Sequence, residues 1–353
     1  MNMKPLYLIV AALVVVALAL LAGAPNLLLP ESAARMNPRD LVEVEMQARK
    51  YMALLIAGAL LAFGLYLLYR RIAVLEKNAD ISHQAQLAER FNRAIDQLGT
   101  YKLEVQLGGI FALERIAQES LIDHFTIMEI LTAYIRENAQ WSENKQGQSD
   151  NLVLENGHSN GAVEQDKIPS DIQAVMTVLG RRKWVLQEME QLHVINLRRT
   201  NLSNIDLRKS HFERANLRGC NLERINLMEA SLAWAFLGGA NLKAANLMKA
   251  NLQGANLAGA NLMGANLRGA NLQGANLTKA RLKGARLAGA ILDGANMTEV
   301  NMQESDLSGV SLVNVNLTNA RLYKIRYNYE TIFPEWVNQD LKEELKMTFG
   351  QNS

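Results

Sequence analysis

From Leu197 to Leu322 a large apolar residue returns at every fifth position without a break of phase. The 26 centres comprise 23 Leu together with Phe212, Met297 and Met302. Neither ordinary element accepts this period. An α-helix would turn each centre by about 140° from the last and spread the leucines round the cylinder. A flat strand would send alternate centres to opposite faces, because five is odd. The pattern fits a chain that turns a corner every five residues, so that every centre points to a common axis and the repeats stack as a solenoid.

The other positions agree with such a coil. Two residues before each centre stands a small or β-branched residue, Ala in 16 cases, where neighbouring walls converge. Immediately before the centre stands Asn in 16 of 26 repeats, which can stack between coils and exchange amide hydrogen bonds. Gly two after the centre, as at Gly254, Gly259 and Gly264, suits a corner. The run Ala250-Asn251-Leu252-Gln253-Gly254 and its neighbours resembles the pentapeptide-repeat family. That resemblance implies a right-handed quadrilateral β-helix with four repeats per coil. The repeats then form about six and a half coils, a rod roughly 31 Å long at about 4.8 Å per layer.

Two apolar runs precede the rod. Leu6 to Ala24 and Tyr51 to Tyr69 are each 19 residues long, enough for a hydrocarbon core. Ala22-Gly23-Ala24 reads as a signal-peptidase site, although Pro25 directly after it disfavours cleavage. Arg70 and Arg71 close the second run and favour a cytoplasmic carboxyl-terminal side, against Arg35, Arg39, Arg49 and Lys50 between the runs. Asn37, Pro38 and Asp40 mark a helix start ahead of the second run.

Between membrane and rod, apolar residues at helical spacing predict three helices. They run through Leu87, Phe91 and Leu98, then Leu103 to Ile116, then Phe125 to Ile135, with a stop at Gly99. The stretch Leu107 to Ile116, with Thr126 to Glu129 and Ile168 to Val175, resembles the region before the repeats in membrane-linked bacterial pentapeptide proteins, many of them cyanobacterial. That resemblance carries no known chemistry. Gly108-Gly109 has no Gly-Lys-Ser/Thr after it and reads as close helix packing, not as a phosphate loop. Residues 139–168 hold few large apolar side chains and read as a flexible linker. Ser170 with Gln173 forms a capping-box pattern for a short helix ending at Gly180.

The open edges of a coil stack need covers. Residues 183–194, with Trp184, Leu186, Met189 and Leu192, are placed to cover the first coil. A helix opening at Pro334, with Trp336, Val337, Leu341 and Leu345 on one face, is placed to cover the last. The expected architecture is multidomain: two transmembrane helices in a membrane anchor over 1–77, a small α-helical domain over 78–138 and the linker over 139–168. A helical cap over 169–194, the β-helix over 195–325 and a cap helix over 326–353 follow.

The chain has 37 basic and 35 acidic residues, a net charge of +2 that selects no partner, and one Cys, which excludes an intramolecular disulfide framework. Cys220 falls on an inward small position and reads as filler. His83, His124, His158, His193 and His211 show no metal-ligand spacing, and no nucleophile or Walker motif occurs. No catalytic residue, cofactor, metal or small-molecule substrate is expected. Some members of the family are acidic rods that inhibit DNA gyrase. Residues 195–324 carry 16 Lys and Arg against 8 Asp and Glu, the wrong sign for a decoy polyanion. Their charge is spread without stacking aromatics, which disfavours nucleic acid.

The function expected is a membrane-tethered scaffold for protein partners, on a bacterial inner membrane, plasma or thylakoid, with its carboxyl-terminal domains cytoplasmic. The alternative is an accessory subunit of a membrane transporter or lipid-handling system. Partners expected are unidentified proteins, the lipid membrane and a second copy of the chain. Outward-facing Trp234 and Phe236 are candidates for a partner contact, against packing on their own wall. Arg181, Arg182 and Lys183, with Arg198 and Arg199, form a candidate basic patch for anionic lipid or a partner, against an ordinary solvated run.

Overall fold

The structure, a computed structural model, describes residues 37–141 and 169–350, Leu192 excepted, with isolated positions between 12 and 23. The run Leu6 to Ala24 and the linker from 142 to 168 lie outside the described residues. Contacts divide the chain into two compact units, Met1–Gln86 and Leu87–Ser353.

In the first unit the main element is helix α1, which spans Pro38–Leu98 and passes into the second. It starts at Pro38, whose fixed φ suits a first helical position, with Asp40 in the first turn and Leu41 N–H on the Asn37 carbonyl. Leu54 and Leu61 are 63% and 66% exposed, and the stretch around them is long and apolar enough to cross a membrane.

In the second unit the last turns of α1 pack against α2 (Leu103–Glu119), followed by α3 (Leu121–Asn138) and α4 (Ser170–Gly180). A Cβ on Gly109 would stand 2.7 Å from the Ala94 carbonyl oxygen, so this glycine lets α2 cross the end of α1. Ser120 starts α3 by accepting the Asp123 N–H at 3.3 Å. One buried apolar cluster joins Ala94, Ile110, Leu131 and Leu179 to the solenoid leucines. The helices and the rod therefore share a core, where the sequence pattern suggests a separate small domain.

The solenoid is four-sided. Its bridges are parallel and pair residues 20 apart, Asn241 with Asn261 and Asn246 with Asn266, which is four five-residue sides per coil. The pairing is regular: Leu247 N–H donates to Asn266 O at 2.7 Å and Asn266 N–H to Ala245 O at 2.9 Å. Every centre from Leu197 to Leu322 is buried. At the corners from Leu207 to Leu317 the N–H three residues after the centre returns to its carbonyl, as from Ala250 to Leu247 at 3.0 Å. The second residue after the centre is left-handed at every corner but Asn314, as a type II turn requires, so Gly254 has φ +63°. Asn side chains link coils as well, Asn261 Nδ2 donating to Asn241 Oδ1 at 3.0 Å.

The first coil exposes four strand edges, and each receives a partner from outside the repeats. Arg136 donates to Asn196 O at 2.9 Å. Asn201 N–H donates to Ala139 O at 2.7 Å and Trp141 N–H to Arg199 O at 2.9 Å, so 139–141 form a short antiparallel cover and not linker. The Gln173 amide grips the Asp206 backbone twice, accepting its N–H at 3.0 Å and donating to its carbonyl at 2.9 Å. His211 N–H donates to Gly180 O at 2.7 Å, while Arg182 donates to His211 O. A Cβ on Gly180 would lie 2.7 Å from Ser210 Cβ, so only glycine permits that approach.

Two expectations for this end change. Gln173 faces the coil, and no side chain caps α4 at its N-terminus, so the capping-box pattern does not form. The segment 183–194, containing α5 (Val185–Glu190), covers less than expected, because Leu186 is 71% exposed and Trp184 donates to Ala117 O of α2.

The far end is lighter. β1 (Arg326–Tyr327) pairs in parallel with β2 (Thr348–Phe349), and Lys324 N–H reaches Leu345 O at 2.8 Å. The last helix, α6, covers only Gln339–Glu344 and buries no residue. It starts at an Asn338 cap and not at Pro334, which lies in a preceding turn that leaves Trp336 54% exposed.

Candidate partner-binding surfaces

The side chains singled out by sequence fall into three environments. Trp234 sits at a left-handed corner and is 55% exposed. Its ring lies along its own wall over Gly254, where an added Cβ would come within 2.4 Å of it. Phe236 replaces Asn in a ladder column between Asn216 and Asn256 and is half-buried. The Arg218 guanidinium stands 4.7 Å from its ring centre, a cation–π contact. The two aromatics lie on the same stretch of coil, each with one side on the rod.

The basic cluster does not form one patch. Arg182 is buried, bonded to Glu188 at 2.6 Å, Leu179 O at 2.7 Å and His211 O. Glu188 is buried too and meets His124 at 2.6 Å. Burial alone would raise the Glu188 pKa, but His124 and Arg182 together outweigh it and hold the carboxyl below its ordinary value. Arg181 makes a two-point pair with Glu114 at 2.5 and 2.6 Å, which raises its own pKa. Lys183 lies 4.4 Å from the Trp184 ring centre and bonds Gln118 O at 3.4 Å. The three adjacent cations thus tie the cap together, while Arg198 and Arg199 are exposed on the first coil. A run of three charges in sequence gives no hint that the middle one turns inward.

Cys220 is buried, its thiol pushed up by burial and set on Leu197 O at 2.9 Å. Among the described residues no group of three His, Cys, Asp or Glu is placed to hold a metal ion. What sequence reasoning missed is a second set of arginines, Arg281, Arg286, Arg321 and Arg326, at positions held elsewhere mostly by the Asn ladder. The departure from Asn is the signal that could have found them.

A leucine-filled, four-sided parallel solenoid whose outward surface carries the variable residues defines a class of solenoid repeat protein. The family model for pentapeptide repeats matches residues 195–232, 225–262, 245–284, 260–298 and 280–319, and the repeat region of this chain belongs to that family, a right-handed β-helix. Three solved structures illustrate the likeness. One is a pentapeptide repeat protein from Nostoc PCC 7120, 28% identical, covering 31% of this chain and 86% of its own, with a TM-score of 0.29. HetL, a pentapeptide repeat protein involved in heterocyst differentiation regulation from the same cyanobacterium, is 29% identical over 39% of this chain and 72% of its own, with a TM-score of 0.26. The plasmid-mediated fluoroquinolone resistance protein QnrB1 is 17% identical over 43% and 84%, with a TM-score of 0.29. No curated protein matches the sequence.

Proposed function

We propose that the chain is a membrane-tethered, non-catalytic scaffold that presents its solenoid to protein partners in the cytoplasm of a bacterial cell, plasma or thylakoid membrane serving as the anchor. The observation that carries this reading is the coexistence of a bare apolar stretch, Tyr51–Tyr69 in α1, with a solenoid whose centres are all buried. Among the described residues nothing covers the stretch, and it matches a hydrocarbon core in length. The solenoid, filled by its own leucines, leaves only its outer walls for recognition. Leu6 to Ala24 supplies a second span on this reading, and the basic pair Arg70-Arg71 sets the direction. The charge of the repeats speaks against topoisomerase mimicry, since a rod with a net +8 over 195–324 repels the surface that grips DNA phosphates.

Reporter fusions after Ser353 test the topology. A reporter that fluoresces only in the cytoplasm is expected to be bright and a periplasmic alkaline phosphatase inactive. An active phosphatase would place the solenoid outside and overturn the cytoplasmic assignment, and recovery of the full chain in the soluble fraction would overturn the tether.

A further inference from the structure

We infer that Arg281, Arg286, Arg321 and Arg326 form a docking surface for an acidic helical segment of a partner protein. On two adjacent sides of the solenoid the amide ladder runs down from the first coils and then stops. On one side Asn221, Asn241 and Asn261 each donate to the Asn above, at 2.8, 3.0 and 3.0 Å, and the next position is Arg281. On the following side Asn246 and Asn266 do the same at 3.0 and 3.2 Å, and the next position is Arg286. Below them the pairing runs Arg281 to Asn301 to Arg321, and Arg286 to Asp306 to Arg326.

Among the described residues nothing rewards the exchange of Asn for Arg with a polar contact. All four arginines are exposed, and among the described residues none makes a side-chain hydrogen bond or an ion pair. Asp306 stands between two of them, yet its carboxylate turns along its own strand to accept from the Ser308 amide at 3.1 Å and hydroxyl at 2.7 Å. Four guanidiniums, each able to hold a carboxylate in a two-point fork, are left pointing outward.

Spacing and local charge select the partner. Arginines in one column are two layers apart, about 10 Å. Same-face side chains of an extended peptide fall at about 7 or 13 Å. Carboxylates seven residues apart on an α-helix fall at about 10.5 Å, which matches. Glu304, paired with Lys283 at 3.4 Å, and Asp306 lie between the arginines, so a continuous polyanion would meet repulsion where a partner with discrete charges need not. Tyr323 is flanked by Lys324 and Lys346 at 5.4 and 6.0 Å and offers no free platform for a base.

This inference rests on the scaffold reading, and its test leaves the topology aside. Full-length chain in phosphatidylcholine nanodiscs is titrated at low salt against a fluorescent helical peptide with Glu seven residues apart, and against a proline-interrupted peptide of the same composition. Duplex DNA and phosphatidylserine vesicles are run in parallel. The variant Arg281→Asn, Arg286→Asn, Arg321→Asn, Arg326→Asn is expected to bind the helical peptide at least tenfold more weakly while melting no lower than the parent, since Asn restores the ladder. A charge-matched variant, Lys209→Asn, Arg224→Asn, Lys249→Asn, Arg268→Asn, is expected to bind like the parent. Equal loss in both variants, no preference for the helical peptide, or tighter arginine-dependent binding to DNA or to vesicles would overturn the inference.

Discussion

The two ends of the solenoid solve one problem with different means. At the start, all four strand edges receive a partner from residues 136–182, and α4 contributes six apolar residues to the shared core. At the finish, the chain simply runs on into a two-residue strand and α6, which buries nothing, while Trp336, Tyr329 and Phe349 are 54%, 74% and 47% exposed. The coils between are nearly uniform, so the contrast isolates what a cap contributes. The first cap is an integral part of the fold, with polar groups aimed at individual backbone atoms. The last is a lighter cover, in which Val337 and Asn328 are buried and Phe333, Leu345 and Met347 pack partly buried against the core.

The largest expected effect is at the buried cluster of the first cap. Arg182→Ala removes one of the two partners of Glu188 and strands the carbonyls of Leu179 and His211, so a loss of about 3–5 kcal/mol is expected in denaturant titrations of the full chain. Gly180→Ala forces a Cβ against Ser210 and is expected to cost about 1–3 kcal/mol by the same measurement. Gln173→Ala leaves the Asp206 backbone unpaired on one side and is expected to cost about 1–2 kcal/mol. At the other end Trp336→Ala is expected to stay within about 0.5 kcal/mol, because the ring is more than half exposed. A Trp336→Ala loss as large as that of Arg182→Ala would erase the distinction between the ends.

Acid sharpens the same contrast. The Glu188 pKa is lowered in the fold, so the carboxylate's contribution is fully present above its ordinary value of 4.5 and is lost as the pH falls through the lower folded value. Below pH 4.5 the first cap is expected to loosen, and Glu188→Gln should flatten that acid limb while lowering stability at neutral pH. An unchanged acid limb in Glu188→Gln would remove Glu188 from the account.

The sequence announces what repeats and hides what does not. The inward leucines, the small residues beside them and the turning corners all follow from a five-residue register, and the structure bears them out from Leu197 to Leu322, save for the Asn314 corner and a half-buried Ala320. Corners went beyond the glycine signal, since Trp234 and Lys249 adopt the same left-handed conformation when the stack fixes it. The first cap was illegible because Arg136 and Gln173 act singly, on backbone atoms 60 and 33 residues away, and a lone polar residue on a helix carries no period. Arg182 was misread for the same reason, its burial depending on Glu188 and His124. Trp234 was legible as outward, but not its rest on Gly254, which depends on the coil below.

Amide hydrogen exchange along the solenoid tests most directly whether its start is closed by groups from outside the repeats. The amides of Asn201, Asp206 and His211, which donate to Ala139, Gln173 and Gly180, are predicted to exchange as slowly as those of central coils such as Asn246 and Asn266. Amides of the segment Lys324 to Gly350 are predicted to exchange markedly faster. First-coil amides exchanging as fast as that final segment would contradict it.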